Sequence, residues 1–461
     1  MHSAPQKNVD VNAVLDTARF RGLPLVVLLC AAFITILDGF DIQIMGLAAP
    51  ALAHDWGTNR AGLAPAFAAA LIGMAVGGFT IGGYGDRNGR RPAILLSVLI
   101  FGLGTLATAW ANNVSMLIAL RFLTGLGLGG ALPNATALMA EFAPPKLRAQ
   151  TIAAAIVGVP IGGMLGATIA AEVIPALGWR AMFAIGGALP LAACVLIYFV
   201  LPESARFLAI RSDRSAELAR ILNRVVGEER YGASHAFSIG PAAPNQRGGV
   251  GMLLSRELWR NTTALWIAFV TNLFAVYCFY NWAPVVLTSF GMDLATSLRA
   301  LLIFNTAGVV GALTMSWLIS RIGSRWVQAL LGVLAICALF YIRALLGLEN
   351  ASTPSRTIIA ALTVAGFCIV GIQVTLFAVA ANVYPTQCRA AGVGWAQGVG
   401  RLGGVLSAFA GAIFVGTSFF VGIAATLTLT VAAILALRKH IEPVLTADDA
   451  VPATHPNSES P

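Results

Sequence analysis

Residues 23–51 form an apolar run long enough to cross a bilayer, interrupted by Leu37-Asp38-Gly39-Phe40-Asp41. A carboxylate at the middle of a spanning helix costs about 2.5–3.5 kcal/mol even on lenient insertion scales. Asp38 and Asp41 are three residues apart and share one face of a helix, and Gly39 between them lets a neighbour approach the backbone. That arrangement predicts a proton-carrying site that faces a cavity. The alternative is a helix-end pair wetted at the outer interface, although apolar residues continue beyond Asp41 as far as Ala51.

The rest of the chain has the same character. Hydrophobic residues make up 58% and charged residues 11%, with a mean hydropathy of +0.81. At about 20 residues per span the chain has room for about a dozen helices and one long loop. Apolar runs at 62–84, 92–110 and 115–142 follow the first, and two more lie between 150 and Leu201. Six follow at 261–289, 297–319, 326–347, 356–382, 390–415 and 418–437. The fold class expected is an all-α polytopic membrane protein of twelve transmembrane helices in two six-helix bundles.

The divisions expected are a cytoplasmic segment (1–22), a first bundle (23–204), a cytoplasmic loop (205–259), a second bundle (260–438) and a polar, disordered tail (439–461). The loop reads as a linker with some helix and a Gly/Pro/Ala-rich piece around 240–251.

A net charge of +9 would suit nucleic acid, but the placement of the basic residues argues against it. Arg87, Arg90, Arg91, Lys146, Arg148, the loop arginines, Arg321, Arg325, Arg389, Arg438 and Lys439 all fall on one side. Few lie opposite, Arg60, Arg180, Arg299 and Arg356 among them. The positive-inside rule then puts both termini in the cytoplasm. The six cysteines form no CxxC pair and read as apolar packing residues. All five histidines lie outside the predicted spans, so no metal or cofactor is expected.

The two halves echo each other. Ala140-(x)3-Pro144-(x)3-Arg148-Ala149 matches Ala381-(x)3-Pro385-(x)3-Arg389-Ala390. The loop Gly85-Asp86-Arg87-Asn88-Gly89-Arg90-Arg91 has a worn counterpart in Ser320-Arg321-Ile322-Gly323-Ser324-Arg325. Parallel repeats imply a binding site between the halves.

These motifs resemble the major facilitator superfamily. The resemblance rests on Gly82-(x)3-Asp86-Arg87-x-Gly89-Arg90-Arg91, Arg121-(x)3-Gly125-x-Gly127 and Pro202-Glu203-Ser204. Asp38-Gly39-Phe40-Asp41, Gly130-Ala131-Leu132-Pro133-Asn134 and Tyr384-Pro385-(x)3-Arg389-Ala390-x-Gly392-x-Gly394-Trp395 are more particular. Together they resemble the aromatic acid:proton symporters, over residues 20–440. Ser320 departs from the pattern, since an Asp there would complete the second loop motif.

The resemblance implies a monomeric, proton-coupled importer of an aromatic carboxylate in the bacterial inner membrane, working by alternating access and not an enzyme. A sugar or other organic-acid porter, an efflux antiporter and a ligand-sensing receptor are the rivals. Proton coupling is expected at Asp38, Asp41, Arg121 and Glu141, with Arg121 at the right depth to pair with Asp38. Glu141 reads equally as a solvated helix end. Gating is expected at Asp86, Arg87, Gly89, Arg90 and Arg91, where a plain topology signal is the alternative.

Arg401 sits near mid-depth among glycines with no acid in its own helix, which suits an anionic substrate. Ring contacts are sought among Phe40, Tyr277, Tyr280, Trp282, Phe377 and Trp395. The intramembrane amides Asn272, Asn281, Gln373 and Asn382 either bind a ring hydroxyl or tie helices together.

Overall fold

The computed structural model describes residues 8–145, 147–232, 234–239, 250–347, 355–385, 388–414 and 416–442. The Gly/Pro/Ala-rich linker up to residue 249 and the polar tail from 443 onward lie outside the described residues. The chain opens with β1 (Asn8–Asp10) and α1 (Val11–Thr17), and then runs through α2 (Leu23–Asp55), α3 (Arg60–Asn88), α4 (Arg90–Thr108) and α5 (Val114–Phe142). A short α6 (Arg148–Ile156) leads to α7 (Gly158–Val200). The middle contains α8 (Ala205–Ala209), α9 (Ser215–Val226), β2 (Ala236–Ser238) and α10 (Val250–Leu253). The second half contains α11 (Trp259–Ser289), α12 (Leu294–Ile322), α13 (Ser324–Leu346), α14 (Ser355–Val383), α15 (Arg389–Ile413) and α16 (Ser418–Ala436).

Ten helices among the described residues are long and apolar enough to span a membrane. α7 counts once there, although Gly178 (φ 80°, ψ 173°) interrupts it and leaves helical pieces at 158–177 and 179–200. α15, which carries Arg401, is not among the ten.

The helices are apolar all round, and the side-chain distribution is that of a membrane protein. Phe79, Phe199 and Leu313 point outward, while Asp38, Asp41, Gln43, Arg121 and Asn305 are buried. Glycines let helices approach closely, and Gly158, Gly162 and Gly166 of α7 lie against Thr35, Ile36 and Phe40 of α2.

Helix pairing repeats between the halves. In the first half α3 packs on α5, α2 on α7, and α4 on α5 and α7. In the second, α12 packs on α14, α11 on α15 and α16, and α13 on α14 and α16. Across the halves α2 meets α11, α7 meets α12 and α3 meets α15. This is the pairing of two parallel repeats.

One apolar core runs through both halves at the end marked by Leu52, Trp179 and Leu298. At the opposite end each half keeps its own core, around Phe142 and Leu222 in the first and Tyr384 and Leu437 in the second. The halves are joined at one end and divided at the other.

The segment after Leu201 is less of a linker than its composition suggests. α9 buries Leu218, Ile221, Leu222 and Val225 against α1, α8 and the end of the first bundle. β1 pairs in parallel with β2, at Asn8 with Ala236.

At the divided end the charged loop is held by the Pro202-Glu203-Ser204 segment. Glu203 Oε1 accepts the backbone N–H groups of Arg90 (2.8 Å), Arg91 (3.2 Å) and Ser204 (2.7 Å). It thereby caps the N-terminus of α4, where amides lack helical partners. Burial pushes the Glu203 carboxyl's pKa up, against the pull of those amides. Gly89 makes the cap possible, with φ 109° and ψ 151° and with Glu203 where a Cβ would lie. Its counterpart Gly323 has φ 92° and ψ 158°, and there the Ser324 N–H donates to Ile441 O (3.0 Å).

Gly89→Ala forces a side chain into a region that only glycine tolerates. It is expected to destabilise the protein by about 1–3 kcal/mol, read as a lower unfolding midpoint in detergent. An unchanged midpoint would show that the loop adapts without the glycine.

Candidate functional site

Arg121 is the largest charged group among the fully buried side chains. α5 carries it between α2, α4 and α7, where each neighbour supplies a partner. Nη1 meets Asp41 Oδ2 at 3.5 Å. Nη2 donates to the hydroxyls of Thr105 (3.2 Å), Thr108 (3.1 Å) and Thr124 (3.0 Å). The ring of Phe183 lies 5.1 Å from the guanidinium carbon. Thr105 also donates to Asp41 Oδ1, so the acid and base share a hydroxyl.

The expected pairing of Arg121 with Asp38 is therefore corrected to Asp41, one turn further along α2. Depth made both acids reachable, and the threonines of α4 and α5 select between them. Asp38 is equally buried, but its Oδ1 has no hydrogen-bond partner among the described residues. Asp38 and Tyr277 lie within electrostatic reach of Arg401.

Arg401 reaches from α15 across to α3, where Nη1 donates to the carbonyl of Met74 at 2.8 Å. It forms no ion pair among the described residues, and it is only partly buried. Asp41, Phe67, Met74, Arg121, Tyr277 and Asn281 line a cavity of about 20 Å³ between the halves. A larger recess of about 520 Å³ opens at the joined end beside His54, Trp179, Arg180 and Leu294.

The expected ring contacts separate. Trp282 is buried at the interface of the halves, its ring 4.9 Å from Phe67 and its Nε1 donating to Ser407 O at 2.9 Å. Tyr280 packs edge-on against Phe304 and Tyr277. Phe40 turns away from the cavity, toward Gly166 and Gly186 of α7. Trp395 is 40% exposed and tilts against Trp266, remote from the cavity lining. Gln373 is bonded to Asn272.

Glu141 accepts from the Ser204 hydroxyl and so belongs with the Glu203 loop rather than with Asp41. Asp86 pairs with Arg90 at 2.5 Å, and Arg90 also donates to Asn134 Oδ1 at 3.1 Å. Arg91 donates to Tyr198 O and lies over its ring. The Arg87 carbonyl accepts from Arg211 at 3.5 Å. Every one of these contacts of the charged loop lies inside the first half.

A second polar device had not been anticipated. Gln43 Nε2 donates to Asn305 Oδ1 (3.0 Å), and Asn305 Nδ2 donates back to Gln43 Oε1 (2.9 Å). The two residues are fully buried and tie α2 to α12 across the halves. Near them, a Cβ at Gly46 would strike the Tyr280 carbonyl, so α2 and α11 touch by backbone. The sequence offered two signals: an amide two residues after Asp41, and Thr105 and Thr108 three apart in an apolar span.

The family model described as Major Facilitator Superfamily matches residues 31–408. The chain is 32% identical over 451 residues to 4-hydroxybenzoate transporter PcaK of Acinetobacter baylyi, covering 97% of each. It is 36% identical to the PcaK of Pseudomonas aeruginosa, covering 89% of this chain and 90% of that one. It is 34% identical to a gallate transporter of Pseudomonas putida, covering 87% and 88%. Among solved structures the crystal structure of a D-xylose-proton symporter is similar in fold, with a TM-score of 0.70 at 16% identity, over 91% of this chain and 98% of that one. Paired helix for helix in two repeated halves and matched along most of its length, this chain belongs to the major facilitator superfamily.

Proposed function

We propose that this membrane transporter is a proton symporter that imports an aromatic carboxylate across the bacterial inner membrane as a monomer, with both termini cytoplasmic. The observation that carries the reading is the cluster of two buried acids and two arginines at the meeting of the halves, Asp38, Asp41, Arg121 and Arg401. The relatives named for 4-hydroxybenzoate and gallate support the substrate class.

In this reading Asp38 and Asp41 carry the protons, and Arg121 holds Asp41 in place through Thr105. Arg401 leaves the Met74 carbonyl to meet the substrate carboxylate. An aromatic acid needs far more room than about 20 Å³, since ligand pockets run to roughly 300–1,000 Å³. Binding therefore requires the halves to part, and alternating access follows. The joined end is outward by the positive-inside rule, and the Gln43–Asn305 bridge is its latch. The charged loop around Asp86 shapes the opposite gate, with Glu141 beside it.

The test is uptake into proteoliposomes under an imposed proton gradient. Accumulation of 4-hydroxybenzoate but not xylose is expected. Asp38→Asn and Asp41→Asn should each abolish uphill uptake, because an amide cannot cycle a proton. Concentrative uptake by both variants would remove the coupling role.

For Arg401 the expected loss is in affinity. A buried charge-assisted contact contributes about 1.5–3 kcal/mol, so Arg401→Ala should weaken binding of the acid roughly ten- to a hundredfold. Arg401→Lys keeps the charge without the planar fork and should fall between. Equal affinity in wild type and folded Arg401→Ala, measured by calorimetry, would move the anion site to Arg121.

For the latch, two bonds of about 0.5–1.5 kcal/mol each are at stake. The double variant Gln43→Leu, Asn305→Leu should shift the population toward an outward-open form. Spin labels at His54 and Ser289 would report a longer distance distribution. An unchanged distribution would make the bridge a packing contact only.

A further inference from the structure

Among the described residues two pairs of side-chain amides are bonded to each other in the interior, and they are bonded differently. Gln43 and Asn305 answer each other completely, with two bonds. Asn272 of α11 and Gln373 of α14 share only one, from Asn272 Nδ2 to Gln373 Oε1 at 2.9 Å. The second N–H of Asn272 Nδ2 goes to the Ile369 carbonyl at 3.2 Å. Both acceptors thus sit on the nitrogen side of Asn272, which sets the orientation of its amide and, through the shared bond, that of Gln373.

What remains is one acceptor and one donor on adjoining side chains. Asn272 Oδ1 and Gln373 Nε2 are buried, and neither has a partner among the described residues. Buried polar atoms are almost always paired, so this coincidence calls for an occupant. A hydroxyl fits, because one oxygen can donate to Oδ1 and accept from Nε2. A carboxylate would face the Asn272 oxygen with negative charge, and an ammonium would leave Gln373 Nε2 facing another donor.

The surroundings suit a ring. Phe269, three residues before Asn272, and Phe377, four after Gln373, meet edge to face at 5.2 Å. Gly400 of α15 packs directly on Phe269, where a Cβ would stand 3.0 Å from the Phe269 Cβ. The next residue is Arg401. Amide pair, aromatic pair and cation therefore lie on the three facing helices α11, α14 and α15.

We propose that Asn272 and Gln373 form a hydroxyl-recognition subsite that makes the transporter selective for ring-hydroxylated aromatic acids over the unsubstituted acid. The proposal rests on the aromatic-acid reading above and adds what that reading leaves open. Gln373 Nε2 donates to the ring hydroxyl, and Asn272 Oδ1 accepts its proton.

The experiment is calorimetric binding of 4-hydroxybenzoate and benzoate to purified wild type, Gln373→Met and Asn272→Leu. Gln373→Met matches the shape and leaves Asn272 bonded to Ile369, so it preserves most of the packing. Wild type is expected to prefer 4-hydroxybenzoate, and each variant to lose roughly tenfold of that preference. The ratio of the two affinities is the readout, since a merely structural role would weaken both acids together. An unchanged ratio in either folded variant, equal loss of both acids, or no preference in wild type would overturn the subsite. Should wild type bind neither acid, the aromatic-acid reading itself falls, and the subsite with it.

Discussion

Arg121 cannot be left alone where it lies. A guanidinium removed from water needs an opposing charge and an acceptor for nearly every N–H, or its burial is prohibitive. The structure meets most of that demand with Asp41 from α2, Thr105 and Thr108 from α4, and its own helix's Thr124, leaving Nε without a partner among the described residues. Four-helix packing in the first half is arranged so that these groups converge. The glycines that let α2 press on α7 and α5 on α3 serve the same end, since a longer approach would open the cage to lipid. The first half is closely packed around a buried charge.

Two polar groups of the second half that face the divide are more lightly held. Arg401 is tied to a main-chain carbonyl that already belongs to a helix, and Asn281 reaches the Ser407 hydroxyl only at 3.4 Å. Such bonds are easily exchanged for a ligand's. A polar group that is only lightly held can change partner without first breaking a strong pair.

Much of this was legible in the sequence, for reasons that also explain the rest. Hydropathy marked the ten long apolar helices among the described residues, because a helix in lipid must be apolar over its length. The repeat showed in the paired Pro-(x)3-Arg motifs, and the structure adds matching glycine backbones at Gly89 and Gly323. What could not be read was partner choice. Asp38 and Asp41 share a helix face, and only the threonines of two other helices decide which one Arg121 takes. Phe40 and Trp395 look like ring contacts by type, yet their helix faces turn one to α7 and the other outward. The β1–β2 pairing joins residues 8 and 236, a separation that no local pattern reports. α9 falls where the sequence promised only some helix in a linker, since the arginines scattered along that loop marked it as solvated while Leu218, Ile221, Leu222 and Val225 carry its packing.

The energetics of the interface limit how such a protein can move. At the joined end the halves are held by an apolar core, a pair of hydrogen bonds between side-chain amides and the backbone contact at Gly46. Little of this is electrostatic, so parting the halves exposes no unpaired charge at that end. The buried ion pair of Arg121 and Asp41 lies wholly within the first half. Arg401, by contrast, spans the divide. Any parting of the halves there would break its bond to Met74, a carbonyl that already belongs to a helix. A ligand shifts an equilibrium only by its differential affinity for the two states. Arg401 is thus a partly buried interface cation whose hydrogen bond crosses the divide between the halves.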